Sequence, residues 1–321
     1  LAPHPARRGG SREALASAAL AAPSVPVRAG LRYAPLAVIE RSPGLVECVP
    51  NLSEGRRPEV VGRIAAAVAA VLGATLLDRT SDPDHNRSVI TFAGPRAAVA
   101  AAALALVAAS IREIDLRTHT GVHPRIGAVD VLPFVPLGEV PMEACVALAH
   151  EVGREIAARH AIPVYFYGRA ALRADRERLA DVRRPGFEGL GAVIGTTHLP
   201  DAGPARVHPT AGAIVVGARP PLIAFNVELD TTDRALARRI AREIRASSGG
   251  LPALQALGLL LADPPRVQVS MNLLDHERTG LVAAFDAVAS RARAAGVRVI
   301  RSELVGLAPA AAIAGLTAER I

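Results

Sequence analysis

The chain has 321 residues, of which 50% are hydrophobic and 21% charged, so it can bury a sizeable core and is not disordered throughout. Its two cysteines, Cys48 and Cys145, exclude a disulfide scaffold and a cysteine-built zinc cluster, and point to a reducing, cytoplasmic setting. The net charge of +7 comes from arginine alone, since the sequence has no lysine, and aromatics at 3% leave few platforms for stacking nucleic-acid bases.

Residues 1–44 are rich in Ala, Pro, Arg and Gly and keep neither a helical nor a strand period. They read as a disordered or spurious leader. Six arginines lie there against Glu13 and Glu40, which places +4 of the +7 in this stretch and leaves +3 for residues 45–321. The apolar run at 14–22 is short and follows Glu13, unlike a secretory signal. The Ala-dominated run at 97–110 is too short for a membrane span.

From residue 45 the pattern is regular. Residues 45–49 read as a strand, and Pro58 opens a helix to about residue 72, with Val60, Ile64, Val68 and Val71 on one face. Strands at 75–77 and 88–92 flank a polar turn at 81–87. A helix from 96 to 114 and an apolar strand within 126–135 complete a β-α-β-β-α-β order, extended by a helix at 142–160 and a strand at 164–167. Residues 169–212 are rich in Arg and Gly and read as a connection leading to a strand at 214–216. The order then repeats: strand 222–229, helix 232–246 capped by Thr231 or Thr232, strands 254–261 and 267–272, helix 279–294 ended by Gly296, strand 297–304. This predicts an α/β (α+β) chain of two ferredoxin-like βαββαβ subdomains, 45–200 and 201–321, packed to form a substrate cleft.

Four polar clusters sit at strand ends. Asn51 and Ser53 follow the first strand and serve either as turn caps or as ligand contacts. The stretch from Asp82 to Ser88 holds His85, Asn86 and Arg87, where anion binding through Arg87 fits better than a metal, because no second ligand cluster stands at metal spacing. The third runs from His119 to Asp130. Pro124 restricts His123 to an extended backbone, and histidine exchanges protons near neutral pH, so His123 is the expected reactive residue, with Arg125 beside it. The fourth, residues 200–213, has small residues that let a flat ligand approach the backbone.

Taken in order, residues 47–55 (ECVPNLSEG), 85–87 (HNR), 121–131 (GVHPRIGAVDV), 162–168 (IPVYFYG), 186–190 (GFEGL), 222–227 (LIAFNV), 268–273 (QVSMNL) and 302–307 (SELVGL) resemble the formiminotransferase family. The resemblance covers residues 45–313. It implies transfer of a formimidoyl group from N-formimidoyl-L-glutamate to N5 of tetrahydrofolate by a homodimer, with His123 as general acid and base and tetrahydrofolate as co-substrate. It implies a folate-binding stretch of Gly203, Pro204, Ala205, Arg206, Val207, His208, Pro209, Thr210, Ala211 and Gly212. Asn51, Ser53, Asp82, Arg87 and Arg125 are further candidate substrate contacts from the reading of the residues. Two positions depart from the family pattern: a carboxylate held to assist the histidine falls on Thr80, between Asp78 and Asp82, and an expected Phe is Ala202. No room is expected for the cyclodeaminase domain fused to some relatives. Alternative readings are a folate-dependent transferase with another donor, such as N-formylglutamate, and a basic nucleic-acid-binding protein.

Overall fold

The computed structural model describes residues 44–121 and 124–313. The leader and His123 lie outside the described residues.

The first strand is split by Val49 and Pro50 into β1 (Leu45–Cys48) and β2 (Asn51–Leu52). Then follow α1 (Pro58–Ala69), β3 (Thr75–Asp82), β4 (Arg87–Pro95), α2 (Arg96–Glu113) and β5 (Val129–Pro136). Pairing is antiparallel throughout: β5 and β4 flank the β1/β2 strand, and β3 pairs with β4 at the edge. This is the strand order of a split βαβ unit. Pro58 at the first turn of α1 suits a position whose N–H has no helical partner.

The sheet does not stop there. After α3 (Met142–His160), β6 (Val164–Gly168) and β7 (Ile214–Ala218) add on in parallel, with β7 between β5 and β6. Residues 169–213 are therefore no linker between halves. They carry α4 (Leu179–Val182) and α5 (Gly186–Val193), whose Val182 and Leu190, with Ile194, pack on Val131, Tyr165, Tyr167 and Val215. The helices α1, α2 and α3 bury the opposite face. Two covered faces explain why β5 is an unbroken apolar run apart from Asp130.

The change of sheet falls between Ala218 and Ile223, where the sequence reading placed a boundary at 200/201. Pairing of β7 with β5 across nearly 80 residues of chain overrides the Gly/Pro-rich composition that suggested the earlier break.

The second sheet comprises β8 (Ile223–Leu229), α6 (Arg234–Ile244), β9 (Leu254–Leu261), β10 (Arg266–Leu273), α7 (Leu281–Ala294), β11 (Val299–Val305) and the short α8 (Ala310–Ile313). Its order, β11-β8-β10-β9, is again that of a split βαβ unit. The cap of α6 is Asp233, not a threonine: its carboxylate accepts from the N–H groups of Ala235 (2.9 Å) and Leu236 (3.1 Å), while Thr231 Oγ1 accepts from Asp233 N–H. The strand predicted at 75–77 runs on to Asp82, because an edge strand with one open face tolerates the polar residues that mimicked a turn.

Candidate active site

The site is built around Asn86, in the tight connection from β3 to β4. Its φ of 48° lies in the left-handed region, which Asn tolerates better than most residues. Oδ1 of Asn86 accepts from Gly55 N–H (2.9 Å), Nδ2 donates to Thr120 O (2.9 Å), and its own carbonyl accepts from His119 Nε2 (2.9 Å). One residue thus ties together the loop after β2, the β3–β4 turn and the segment before β5. Close backbone approach demands glycine at two of these points. A Cβ on Gly55 would stand 2.3 Å from Asp82 O, and one on Gly121 would stand 2.5 Å from His85 O.

Ser53 adds a fourth strip. Its Oγ donates to Gly127 O (2.6 Å) and its N–H to Ala128 O (2.9 Å). The resulting depression is lined by Ser53, Asn86, Arg87, His119, Arg125 and Asp130, and widens past Thr120, Gly121, Pro124, Gly186 and Glu188. All of these residues belong to the first half, where the sequence reading put the ligand site between the two.

Charge in the site is unevenly balanced. Asp130 is 3% exposed; Oδ1 accepts from Ile126 N–H (2.8 Å) and Oδ2 is paired with Arg183. Arg125 donates to His119 O and to Glu188 (2.9 Å each) and stands over the Phe187 ring. Burial brings Arg87 down to about 10, helped by repulsion from Arg183 and opposed by attraction to Asp130 and Asp82, so it stays protonated at neutral pH. Burial pushes the Glu54 carboxyl up, but hydrogen bonds from Arg57 and Arg56 outweigh that and hold it below the usual range.

His119 is held below the ordinary histidine value by burial, with Arg125 adding to the effect and the bond to the Asn86 carbonyl opposing it. A carbonyl only accepts, so the proton sits on Nε2 and Nδ1 keeps its lone pair.

Of the sequence-predicted residues, Ser53, Arg87 and Arg125 line the depression. Asn51 is buried in β2 and turns its amide back onto Val49 O (3.0 Å). Asp82 works through His85, accepting from its N–H (2.8 Å) with Nδ1 at 3.3 Å. The alternation along β3 sets Asp78 and Asp82 on the same side of the strand as Thr80.

Of the glycine-rich stretch, residues 208–212 adjoin the site from behind. His208 and Gly212 exchange backbone hydrogen bonds of 3.0 Å, and His208 Nδ1 accepts from Ala211 N–H (3.0 Å). Ala128 N–H donates to Ala211 O (3.0 Å), and Ala213 N–H to Ile126 O (2.9 Å), on the other edge of the strip that bonds Ser53. Gly203 needs its φ of 83°, with a Cβ otherwise 2.5 Å from Ile162 O. Pro204, Ala205, Arg206, Val207, Pro209 and Thr210 are half-buried or exposed.

Sequence reasoning placed Asn86 and Asp130 within its polar clusters without giving either a role, and gave no role to Arg183 or Glu188. Asp130 gave a signal, a lone carboxylate in an apolar strand that calls for a buried partner. Arg183 gave none. Among the described residues no group of three or more His, Cys, Asp or Glu is placed to hold a metal, and no helix is long and apolar enough to cross a membrane.

Three histidines in or near this region, His119, His198 and His208, lie below their ordinary value, with burial the largest cause in each. Each takes up its proton at higher pH unfolded than folded, so the unfolded chain binds more protons as pH falls through about 6.5, and stability falls with it. The urea midpoint is expected to be lower at about pH 5.5 than at about pH 7.5, above the range where most carboxylates titrate. An equal or higher midpoint at the lower pH would contradict this.

Residues 45–219 match the family described as "Formiminotransferase domain, N-terminal subdomain", and residues 224–319 match "Formiminotransferase domain". The chain is 43% identical over 270 residues to a glutamate formimidoyltransferase of Streptococcus pyogenes serotype M1, covering 84% of this chain and 90% of that one. It is 44% identical over 272 residues to a glutamate formimidoyltransferase of Thermoplasma acidophilum, covering 84% and 89%. A formimidoyltransferase-cyclodeaminase of Sus scrofa is 42% identical over 276 residues, which cover 84% of this chain and 51% of the relative.

Proposed function

The chain belongs to the formiminotransferase family, and on that premise we propose how its site carries out the transfer of a formimidoyl group from N-formimidoyl-L-glutamate to N5 of tetrahydrofolate. The observation that carries this reading is the match of both subdomains, in order, to relatives of nearly the same extent.

N5 of tetrahydrofolate attacks the formimidoyl carbon, and His123 accepts the proton that N5 loses. The tetrahedral intermediate collapses when the glutamate nitrogen is protonated by the same histidine, the C–N bond breaks, and L-glutamate leaves. One residue serves both steps because proton removal and donation are sequential. Holding the two substrates together supplies much of the remaining acceleration. Arg87 and Arg125 face acidic substrates, Ser53 and Asn51 fix the loop beside them, and Asp82 orients His85. The stretch from Gly203 to Gly212 takes the folate, whose flat ring suits small residues. The step belongs to the folate-linked end of histidine breakdown, carried out by a cytoplasmic homodimer. Two free, buried cysteines are in keeping with a reducing compartment.

The test is formation of 5-formimidoyltetrahydrofolate by the purified chain from formimidoylglutamate and tetrahydrofolate, with formylglutamate as a parallel donor. Product from the first donor at the higher rate is expected. A folded protein that forms none, or prefers the formyl donor, overturns the reading.

A further inference from the structure

Arg87 and Arg125 line the depression, Arg183 reaches Asp130 beside them, and the three are not equivalent. Arg125 is paired with Glu188, and Arg183 with Asp130. Arg87 is paired with nothing: among the described residues its guanidinium makes no hydrogen bond and no ion pair, and its Nε is sealed from solvent without a partner. The Nε atoms of Arg125 and Arg183 are likewise sealed and unpartnered, but each of those guanidiniums is held by a carboxylate. The buried carboxylate beside Arg87 and Arg183, Asp130, accepts from Ile126 N–H through one oxygen and from Arg183 through the other, and makes no hydrogen bond to Arg87. Two partly buried guanidiniums therefore face one buried carboxylate that bonds only Arg183 of the two. Beyond Asp130, only the partly exposed Asp82 adds attraction at Arg87.

A buried charge without a counter-ion is costly, and a fold retains one where something other than the fold compensates it. The forked N–H groups of a guanidinium match the two oxygens of a carboxylate, which identifies the missing group by shape as well as by charge. We propose that Arg87, beside the buried Asp130–Arg183 pair, forms a carboxylate subsite that takes a carboxylate of the formimidoyl donor. The assignment rests on the proposed function for the identity of that donor. Of the two arginines the sequence reading offered, it chooses Arg87, because Arg125 is already committed to Glu188 and the His119 carbonyl.

Both substrates carry carboxylates, and geometry separates them. The turn assigned to folate bonds the strip at 126–128 along one edge, through Ala211 and Ala213. Ser53 bonds the same strip along the other edge, and Ser53 lines the depression with Arg87. Arg87 thus lies on the side away from the folate turn, which leaves it to the smaller substrate.

Thermal unfolding of the full chain with L-glutamate or glutarate as probe, and steady-state kinetics with each substrate varied, test the assignment on wild type, Arg87→Met and Arg87→Lys. Wild type is expected to gain Tm with either probe. Arg87→Met is expected to keep or raise the unliganded Tm, because it removes an uncompensated charge, and to lose the response to both probes. Its KM for formimidoylglutamate should rise by roughly 10–100-fold, the loss of one charge-assisted bond pair, while KM for tetrahydrofolate stays put. Arg87→Lys, which keeps the charge and loses the fork, should fall between the two and serves if the Met variant fails to fold. A probe response that survives in Arg87→Met, or a rise in the folate KM in place of the donor KM, overturns the subsite. Should wild type turn over no formimidoylglutamate, a probe-induced Tm shift lost in Arg87→Met would still support a carboxylate subsite, separating its fate from that of the function.

Discussion

Replacing His123 with alanine is expected to lower kcat by roughly 10²–10⁴-fold, the span of a general acid–base contribution, with KM for both substrates changed far less. The expectation rests on what the reaction demands: one group that takes a proton from N5 and returns one to the leaving nitrogen near neutral pH, which is the natural range of histidine. His119 is the competing histidine, since it lines the depression and stays neutral at pH 7. Its Nε2, however, is engaged with the Asn86 carbonyl, and Asn86 in turn holds Gly55 and Thr120. Replacing His119 is therefore expected to loosen the scaffold, raising KM and lowering the unfolding midpoint more than it lowers kcat. Steady-state kinetics of both single variants decide the matter. A His123→Ala enzyme within tenfold of wild type, beside a His119→Ala enzyme that has lost turnover, would move the proton transfer to His119.

The repeat of two βαββαβ units was legible because it is local. Each strand and helix carries its own period, as in α1 with Val60, Ile64 and Val68 buried one turn apart. What the sequence concealed is non-local. Nothing near Ile214 says that β7 enters the first sheet between β5 and β6, and the chain before it reads as linker because Gly and Pro interrupt its short helices. The site divides the same way. Ser53 and Arg87 stand in compact motifs and could be picked out, whereas Arg183 reaches Asp130 only after α4 folds back across the sheet, 53 residues along the chain. The role of Asn86 was hidden for another reason. A left-handed backbone in a polar turn reads as a solvated tip, and its three bonds become visible only once the segments they join have been folded together.

The Asp130→Ala variant is expected to lose about 3–5 kcal/mol of folding stability, the range for removing one partner of a buried ion pair. The side chains of Arg183 and Asp130 are only 12% and 4% exposed, so water cannot take the place of the lost carboxylate. The variant would leave Arg183 without its counter-ion, Ile126 N–H without its acceptor, and Arg87 with nothing but more distant charges to offset burial. Asp130→Asn should lose less, since its amide oxygen can still accept from Ile126 while the charge is gone. The two causes separate in the double variant Asp130→Ala/Arg183→Met. Removing the orphaned guanidinium should return a substantial part of the loss, because the penalty comes from an uncompensated charge more than from a missing contact. Urea unfolding followed by circular dichroism measures all three. A loss under about 1 kcal/mol for Asp130→Ala, within the range of exposed pairs, would show that the pair is solvated, and with it the argument that Arg87 sits beside a buried carboxylate already held by Arg183 would fall.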